Sequence, residues 1–135
     1  MIKEMFDLSG KTAFVSGSSR GIGFAIAEAF ADAGATVVIN SRKPESLAEA
    51  QAKLADKGYA VHAVPFDVTD SKAVAAGIEK IETEIGPIDI AVNNAGIQRR
   101  SPFTKITDEL WRDVMETNLN AVFFVARAVS ERMTE

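Results

Sequence analysis

The 135-residue chain has no cysteine and a single histidine, His62. It therefore has no disulfide framework, no thiolate nucleophile, and no thiolate or histidine-rich metal site. Charge of neither sign dominates, since 15 Lys and Arg stand against 19 Asp and Glu for a net charge of -4, and the basic residues are scattered. That balance lacks the electrostatic footprint of a nucleic-acid or anionic-membrane binder. No apolar run approaches the ~20 residues of a membrane span. Met1 to Lys11 mixes Lys3, Glu4, Asp7 and Lys11 with apolar residues, unlike a signal peptide, so a soluble, cytoplasmic protein is expected. Internal repeats, low-complexity tracts and interdomain linkers are also missing. With 47% hydrophobic and 25% charged residues, residues 1–135 are read as one compact domain with a core of its own.

What is present is an alternation. Thr12–Ser16, Thr36–Asn40, Val61–Pro65 and Ile88–Val92 read as short strands, and several are continuously apolar, which favours a parallel sheet covered on both faces. The segment after the first strand places Ile22, Ala25, Ile26, Ala29, Phe30 and Ala33 at helical spacing along one face, and Gly34 stops it. A second helix over Pro44–Lys57 turns Leu47, Ala50 and Leu54 inward before Gly58. A third follows Thr69 or Asp70 as cap and presents Val74, Ile78, Ile81 and Ile85 until Gly86-Pro87 breaks it. The fourth begins near Thr107 and can run to the last residue. Right-handed crossovers make this a three-layer, doubly wound α/β unit of about four strands, order 3-2-1-4, with four helices. Its topological switch point lies between strands 1 and 4, where a ligand is expected at the carboxyl ends.

The glycines fall at that point. Ser16-Gly17-Ser18-Ser19-Arg20-Gly21-Ile22-Gly23 is a Gly-x-x-x-Gly-x-Gly turn leading into the first long helix. Glycine permits the tight turn and lets backbone amides approach a pyrophosphate, while the helix N-terminus adds partial positive charge. Gly17, Ser19, Arg20, Gly21, Ile22 and Gly23 are the phosphate-side candidates; no Gly-Lys-Ser/Thr follows, which excludes a Walker loop. Strand 2 ends in Asn40-Ser41-Arg42, where an NAD-binding unit commonly has an acid for the ribose 2′-hydroxyl. Asn40, Ser41 and Arg42 instead offer donors to a 2′-phosphate, with Arg20 within reach of the same group. The expected cofactor is NADP(H) in preference to NAD(H), bound to a Rossmann domain.

Together with Asp67-Val68 after strand 3, Asn93-Asn94-Ala95-Gly96 after strand 4 and Asn118 in the fourth helix, these residues resemble the short-chain dehydrogenases/reductases. The resemblance covers essentially the whole chain. It implies that Asp67 contacts adenine and Val68 packs on it, and that the segment carrying Asn94, Ala95 and Gly96 lines the cofactor near its nicotinamide-side ribose. It also implies that Asn118 belongs to the catalytic tetrad, helping to hold a water in the proton relay. Leu110, Val114, Val122 and Val125 put Asn118 on or beside an apolar stripe, where its amide must have partners. The segment Gly96–Phe103 is most similar to the gluconate 5-dehydrogenase branch, which implies reversible oxidation of a sugar acid or polyol. Arg99 or Arg100 can hold the substrate carboxylate beside the nicotinamide.

Ser16 stands where the family usually has threonine, and its hydroxyl can still bond nearby backbone. The resemblance also calls for a serine after the next strand and a Tyr-x-x-x-Lys on the next helix. The sequence ends at Glu135 before either, and Tyr59 is followed at the fourth position by Ala63, so it is no substitute. The chain alone is thus expected to be catalytically incomplete. A noncatalytic dinucleotide-binding or assembly module is the alternative. A methyltransferase binding S-adenosylmethionine is disfavoured by the missing acid at strand 2 and by Asn93-Asn94-Ala95-Gly96 with Asn118. Phe123, Phe124 and Val125 on the fourth helix, or an exposed fourth strand, are expected to support a homo-oligomer.

Overall fold

A computed structural model describes residues 2–134, and in it the four apolar runs become β1 (Thr12–Val15), β2 (Thr36–Ile39), β3 (Val61–Ala63) and β4 (Ile90–Val92). All neighbours pair in parallel, in the order β3-β2-β1-β4. The register sets Ala13 between Val37 and Ile90, and Val15 between Ile39 and Val92. Because strand side chains alternate, Ala13, Val15, Val37 and Ile39 enter one core and Phe14 and Val38 the other. Both faces are covered, which is why these strands show no polar alternation.

The helices are α1 (Ile2–Met5), α2 (Gly21–Asp32), α3 (Pro44–Ala55), α4 (Ser71–Glu84), α5 (Asp108–Met115) and α6 (Ala121–Met133). On one face α2 and α3 supply Ala27, Ala31, Leu47, Ala50 and Leu54; on the other α4 and α6 supply Val74, Ile78, Ile81, Val125 and Val129. This is the three-layer α/β arrangement expected from the alternation. Local chemistry sets the ends. The Asp70 carboxylate accepts from the amides of Lys72 at 3.0 Å and Ala73 at 3.1 Å, and the Thr107 hydroxyl accepts from Leu110 at 3.2 Å. Gly34 ends α2 at φ +99°, a conformation that a Cβ disfavours.

Two expectations need correction. Along α2 the buried positions are Gly23, Ala27 and Ala31, whereas Ile22, Ala25 and Ala29 face outward. The helix lies so close to the sheet that its smallest residues take the fully buried line, while Phe24, Ile26 and Phe30 pack beside it, partly buried. The fourth helix starts after Thr107 as expected, but Glu116–Asn120 is a π-helical turn between α5 and α6. The short α1 and a 3-10 turn at Phe103–Lys105 hold too few residues to show a period.

Among the described residues no helix is long and apolar enough to cross a membrane, and no cluster of His, Cys, Asp and Glu can hold a metal ion. At the amino-terminal edge of the sheet, the Asp89 carboxylate accepts from the Thr12 amide at 2.8 Å and the Lys11 ammonium at 3.3 Å. The Thr12 N–H, and secondarily Lys11, holds this carboxyl below its ordinary range, against an opposing effect of burial. A lowered folded-state pKa means that the bond stabilises the fold above the unfolded value of 3.8 and is lost as pH falls through the folded value. Asp89→Ala is expected to lower the urea midpoint at neutral pH, and the gap from wild type should close as pH drops below that range. A gap independent of pH would show that the carboxylate contributes nothing as an anion.

Candidate functional site

The carboxyl ends of β1, β2 and β4 open on a cleft of ≈ 780 Å³, within the usual range for a small-molecule site. Its floor is the turn from β1 into α2. Gly17 and Gly21 both adopt φ +61°. A Cβ at Gly17 would sit 2.7 Å from Ala95 Cα, and one at Gly23 would sit 2.4 Å from both Asn94 Nδ2 and the Gly17 carbonyl oxygen. The turn after β1 and the segment after β4 thus meet backbone against backbone, a contact only glycine admits. Arg20, the residue before α2, makes no side-chain cap, and the first turn of α2 has no acid. The leading amides of a 12-residue helix consequently remain available to an anion in the cleft, whose lining includes Ser19, Arg20, Gly21, Ile22 and Gly23.

Buried polar groups hold these two loops together. The Ser16 hydroxyl accepts from the amides of Asn94 and Ala95, each at 3.0 Å, and donates to the Val92 carbonyl at 3.3 Å. The Asn94 amide group donates to the carbonyls of Gly17 at 3.0 Å and Ser16 at 3.2 Å. Both N–H groups of Asn94 are therefore spent on the scaffold, while Ala95 and Gly96 line the cleft. On the far side Asp67 holds a tight turn by accepting from the Thr69 amide at 2.9 Å and hydroxyl at 2.7 Å. Val68, 8% exposed, belongs both to the core and to the cleft wall.

At the end of β2 the structure separates residues that the sequence presents as a group. Asn40 is 1% exposed, and its amide donates to the carbonyls of Val64 at 3.1 Å and Phe66 at 3.2 Å. It has no donor left for a 2′-phosphate. The Ser41 hydroxyl donates to the Lys43 carbonyl at 3.1 Å within its own exposed loop, and Ser41 lines the cleft. Arg42 and Arg20 are exposed and line the same cleft, joined there by Lys43. Sequence reading passed over Lys43, and also Ser46, Glu49 and Lys53 on the edge of α3 that faces the cleft. Their spacing of three to four residues was the available signal.

A family match agrees with this geometry: residues 11–135 match the family described as short chain dehydrogenase. The chain belongs to the short-chain dehydrogenase family. It is 49% identical over 130 residues to a gluconate 5-dehydrogenase of Gluconobacter oxydans, covering 96% of this chain and 51% of that protein. It is 43% identical over 134 residues to a 5-keto-D-gluconate 5-reductase of Escherichia coli, covering 99% of this chain and 53% of that one. A crystal structure of a gluconate 5-dehydrogenase from Burkholderia cenocepacia in complex with NADP and tartrate superposes with a TM-score of 0.93 at 42% identity. That match covers 98% of this chain and 52% of the other. The chain spans about half the length of the curated relatives it matches.

Within this short-chain dehydrogenase unit, Asn118 lies in the π-helical turn and is exposed, not set in an apolar stripe. Its partners exist all the same: the amide oxygen accepts from the Ile97 N–H and the amide nitrogen donates to the Ile97 carbonyl, both at 2.8 Å. Asn118 does not itself line the cleft; Ile97 does. Arg99 also lines it, with its guanidinium 3.2 Å from the Asp113 carboxylate on α5, whereas Arg100 and Asn93 lie outside the lining. Tyr59 is remote from the cleft, and donation of its hydroxyl to Asp32 at 3.1 Å holds its pKa above the ordinary value, opposite to what a phenolic base requires. Asn118→Ala removes two bonds, each worth ~1 kcal/mol. The Ile97 amide is then expected to exchange with solvent about tenfold faster. Unchanged exchange would show that the loop is held by other contacts.

Proposed function

We propose that residues 1–135 form the NADP(H)-binding unit of an oxidoreductase that exchanges a hydride between a sugar acid or polyol and its keto form, like the gluconate 5-dehydrogenases. One observation carries this: an uncapped helix N-terminus at the glycine turn stands beside the basic rim of Arg20, Arg42 and Lys43, with no acid at the end of β2. The amides of Gly21 to Gly23 suit a pyrophosphate, and the guanidinium groups suit a 2′-phosphate that a carboxylate would repel. Asp67 and Val68 take the adenine end, and Ala95 and Gly96 the ribose nearer the nicotinamide. When bound, the nicotinamide supplies the hydride-carrying chemistry. Arg99, held at the cleft by Asp113, is placed to engage the carboxylate of a sugar acid. Asn118 fixes the Ile97 backbone and so the wall beside the reacting end. The acid/base for the proton step is assigned to none of these 135 residues, so this polypeptide alone is expected to bind the dinucleotide without turning over gluconate.

Calorimetric titration of the purified protein tests the cofactor assignment. NADPH is expected to bind at least about tenfold more tightly than NADH, and Arg42→Ala should remove most of that difference, since a charge-assisted bond is worth ~1.5–3 kcal/mol. Equal affinities would overturn the choice of NADP(H), and no binding of either would overturn the reading as a whole.

We further propose that the protein self-associates through the α5–α6 face, where Trp111, Leu119 and Phe123 are 59%, 56% and 57% exposed, with β4 at the adjoining sheet edge. Sedimentation velocity should give a species larger than one chain, reduced by Phe123→Glu. A concentration-independent monomer would sink this assignment.

A further inference from the structure

We propose that Asn40 is a positioning residue for the dinucleotide: its buried amide couples the phosphate turn to the adenine wall, so that a single side chain sets their separation. The inference rests on the dinucleotide-binding reading and assigns Asn40 a part in it without contact with the ligand.

The paired ladder between β2 and β3 ends at Ile39 and Ala63. One more backbone bond follows, from the Val64 amide to the Ile39 carbonyl at 3.0 Å, and there the two chains part, β2 toward Ser41 and β3 toward Phe66 and Asp67. The Asn40 side chain continues the ladder across the gap, its two N–H groups reaching the carbonyls of Val64 and Phe66. On its other side it meets the phosphate turn. Its Oδ1 accepts from the Gly17 amide at 3.4 Å, the weakest of the set, and its backbone exchanges bonds with Ser18 through the Ser18 hydroxyl at 2.9 Å and the Ser18 amide at 2.8 Å. The other buried polar residues among those described are Thr12, Ser16 and Ser18. The side-chain bonds of Ser16 go to the β4 side, and the Ser18 hydroxyl bonds the Val15 carbonyl and Asn40 itself, so neither reaches the exit of β3.

Neither wall can shift to compensate. Gly17 lies against Ala95 with no room for a Cβ, and Phe66 is wedged between Gly77, whose Cβ would come within 2.3 Å of the ring, and Phe14, stacked at 5.9 Å. Stiff walls bridged beyond the backbone bonds by one side-chain amide take the last adjustment of their spacing from it. The residue type follows from the same geometry. Two carbonyls require two donors, which aspartate lacks and which a serine or threonine hydroxyl cannot supply at once. An aspartate at this position is therefore disfavoured by packing.

The test is titration of Asn40→Ala and Asn40→Ser with NADPH and with NADH, alongside thermal melting. Both affinities are expected to fall by the same factor of about ten, because both ligands share the pyrophosphate and the adenine, leaving the NADPH-to-NADH ratio as in wild type. Arg42→Ala, by contrast, should change that ratio. Selective loss of NADPH would overturn the proposal by showing that Asn40 meets the 2′-phosphate. A lower melting temperature with both affinities intact would overturn it by showing a role in stability alone. Asn40→Ser, which keeps one donor, carries the same reading if Asn40→Ala does not fold. Wild-type protein that binds neither nucleotide would be a failure of the dinucleotide assignment, and would remove this inference with it.

Discussion

The cleft depends on how closely two loops approach, those leaving β1 and β4. In a parallel sheet whose order reverses at β1, the chain leaves β1 toward one face and β4 toward the other, and their exits are left side by side. Here that adjacency is closed to contact, with Gly17 against Ala95 and Gly23 against Asn94. Hydrogen bonding makes the closure specific. The Ser16 hydroxyl accepts from two amides of the β4 exit, and removing it would leave that of Ala95 without this acceptor, while that of Asn94 keeps the Val92 carbonyl, at a cost of order 1–3 kcal/mol. Gly17, Gly23, Asn94 and Ala95 of this joint are themselves part of the cleft lining.

The same joint explains which parts of the molecule were legible in its sequence. Strands buried on both faces announce themselves as unbroken apolar runs, and Asp70 and Gly34 mark helix ends by chemistry that is local to each residue. The inward face of α2 was not legible in that way. Periodicity draws attention to Ile22, Ile26 and Phe30; Ile22 faces outward and Ile26 and Phe30 pack at the margin of the core, while the fully buried contact falls to the smallest residues, Gly23, Ala27 and Ala31. The π-helical turn that carries Asn118 has no compositional mark at all. A polar residue at the end of a strand is ambiguous for a further reason: Asn40 reads equally as a donor to ligand or as a buried clamp. The carbonyls that decide between these belong to Val64 and Phe66, far along the chain. Residues whose role depends on distant backbone are the ones sequence patterns misplace.

Charge and geometry are assigned to different residues in this cleft. The groups able to attract a phosphorylated ligand, Arg20, Arg42 and Lys43, are exposed, so solvent and salt weaken each of them and their side chains stay adaptable. The groups that hold the backbone, Ser16, Ser18 and Asn40, are buried and neutral, and no buried side-chain nitrogen or oxygen among the described residues lacks a partner. Placing a cation among them would cost desolvation that no nearby acid offsets. Neutral buried clamps beneath exposed cations give a rigid frame without stranding a charge inside it.

That contrast extends to the two walls of the cleft. The wall made by β1, β2 and the exit of β3 is fastened by bonds that are buried and span the sheet. The opposite wall, from Gly96 through Arg99, is tied to the helical layer by Asn118 at Ile97 and by Asp113 at Arg99, and both ties are exposed. Exposed ties compete with water and open at low cost, whereas buried ones open only with the fold. The wall made by β1, β2 and the exit of β3 is accordingly the fixed part of the cleft, and the Arg99 side is the part free to adjust.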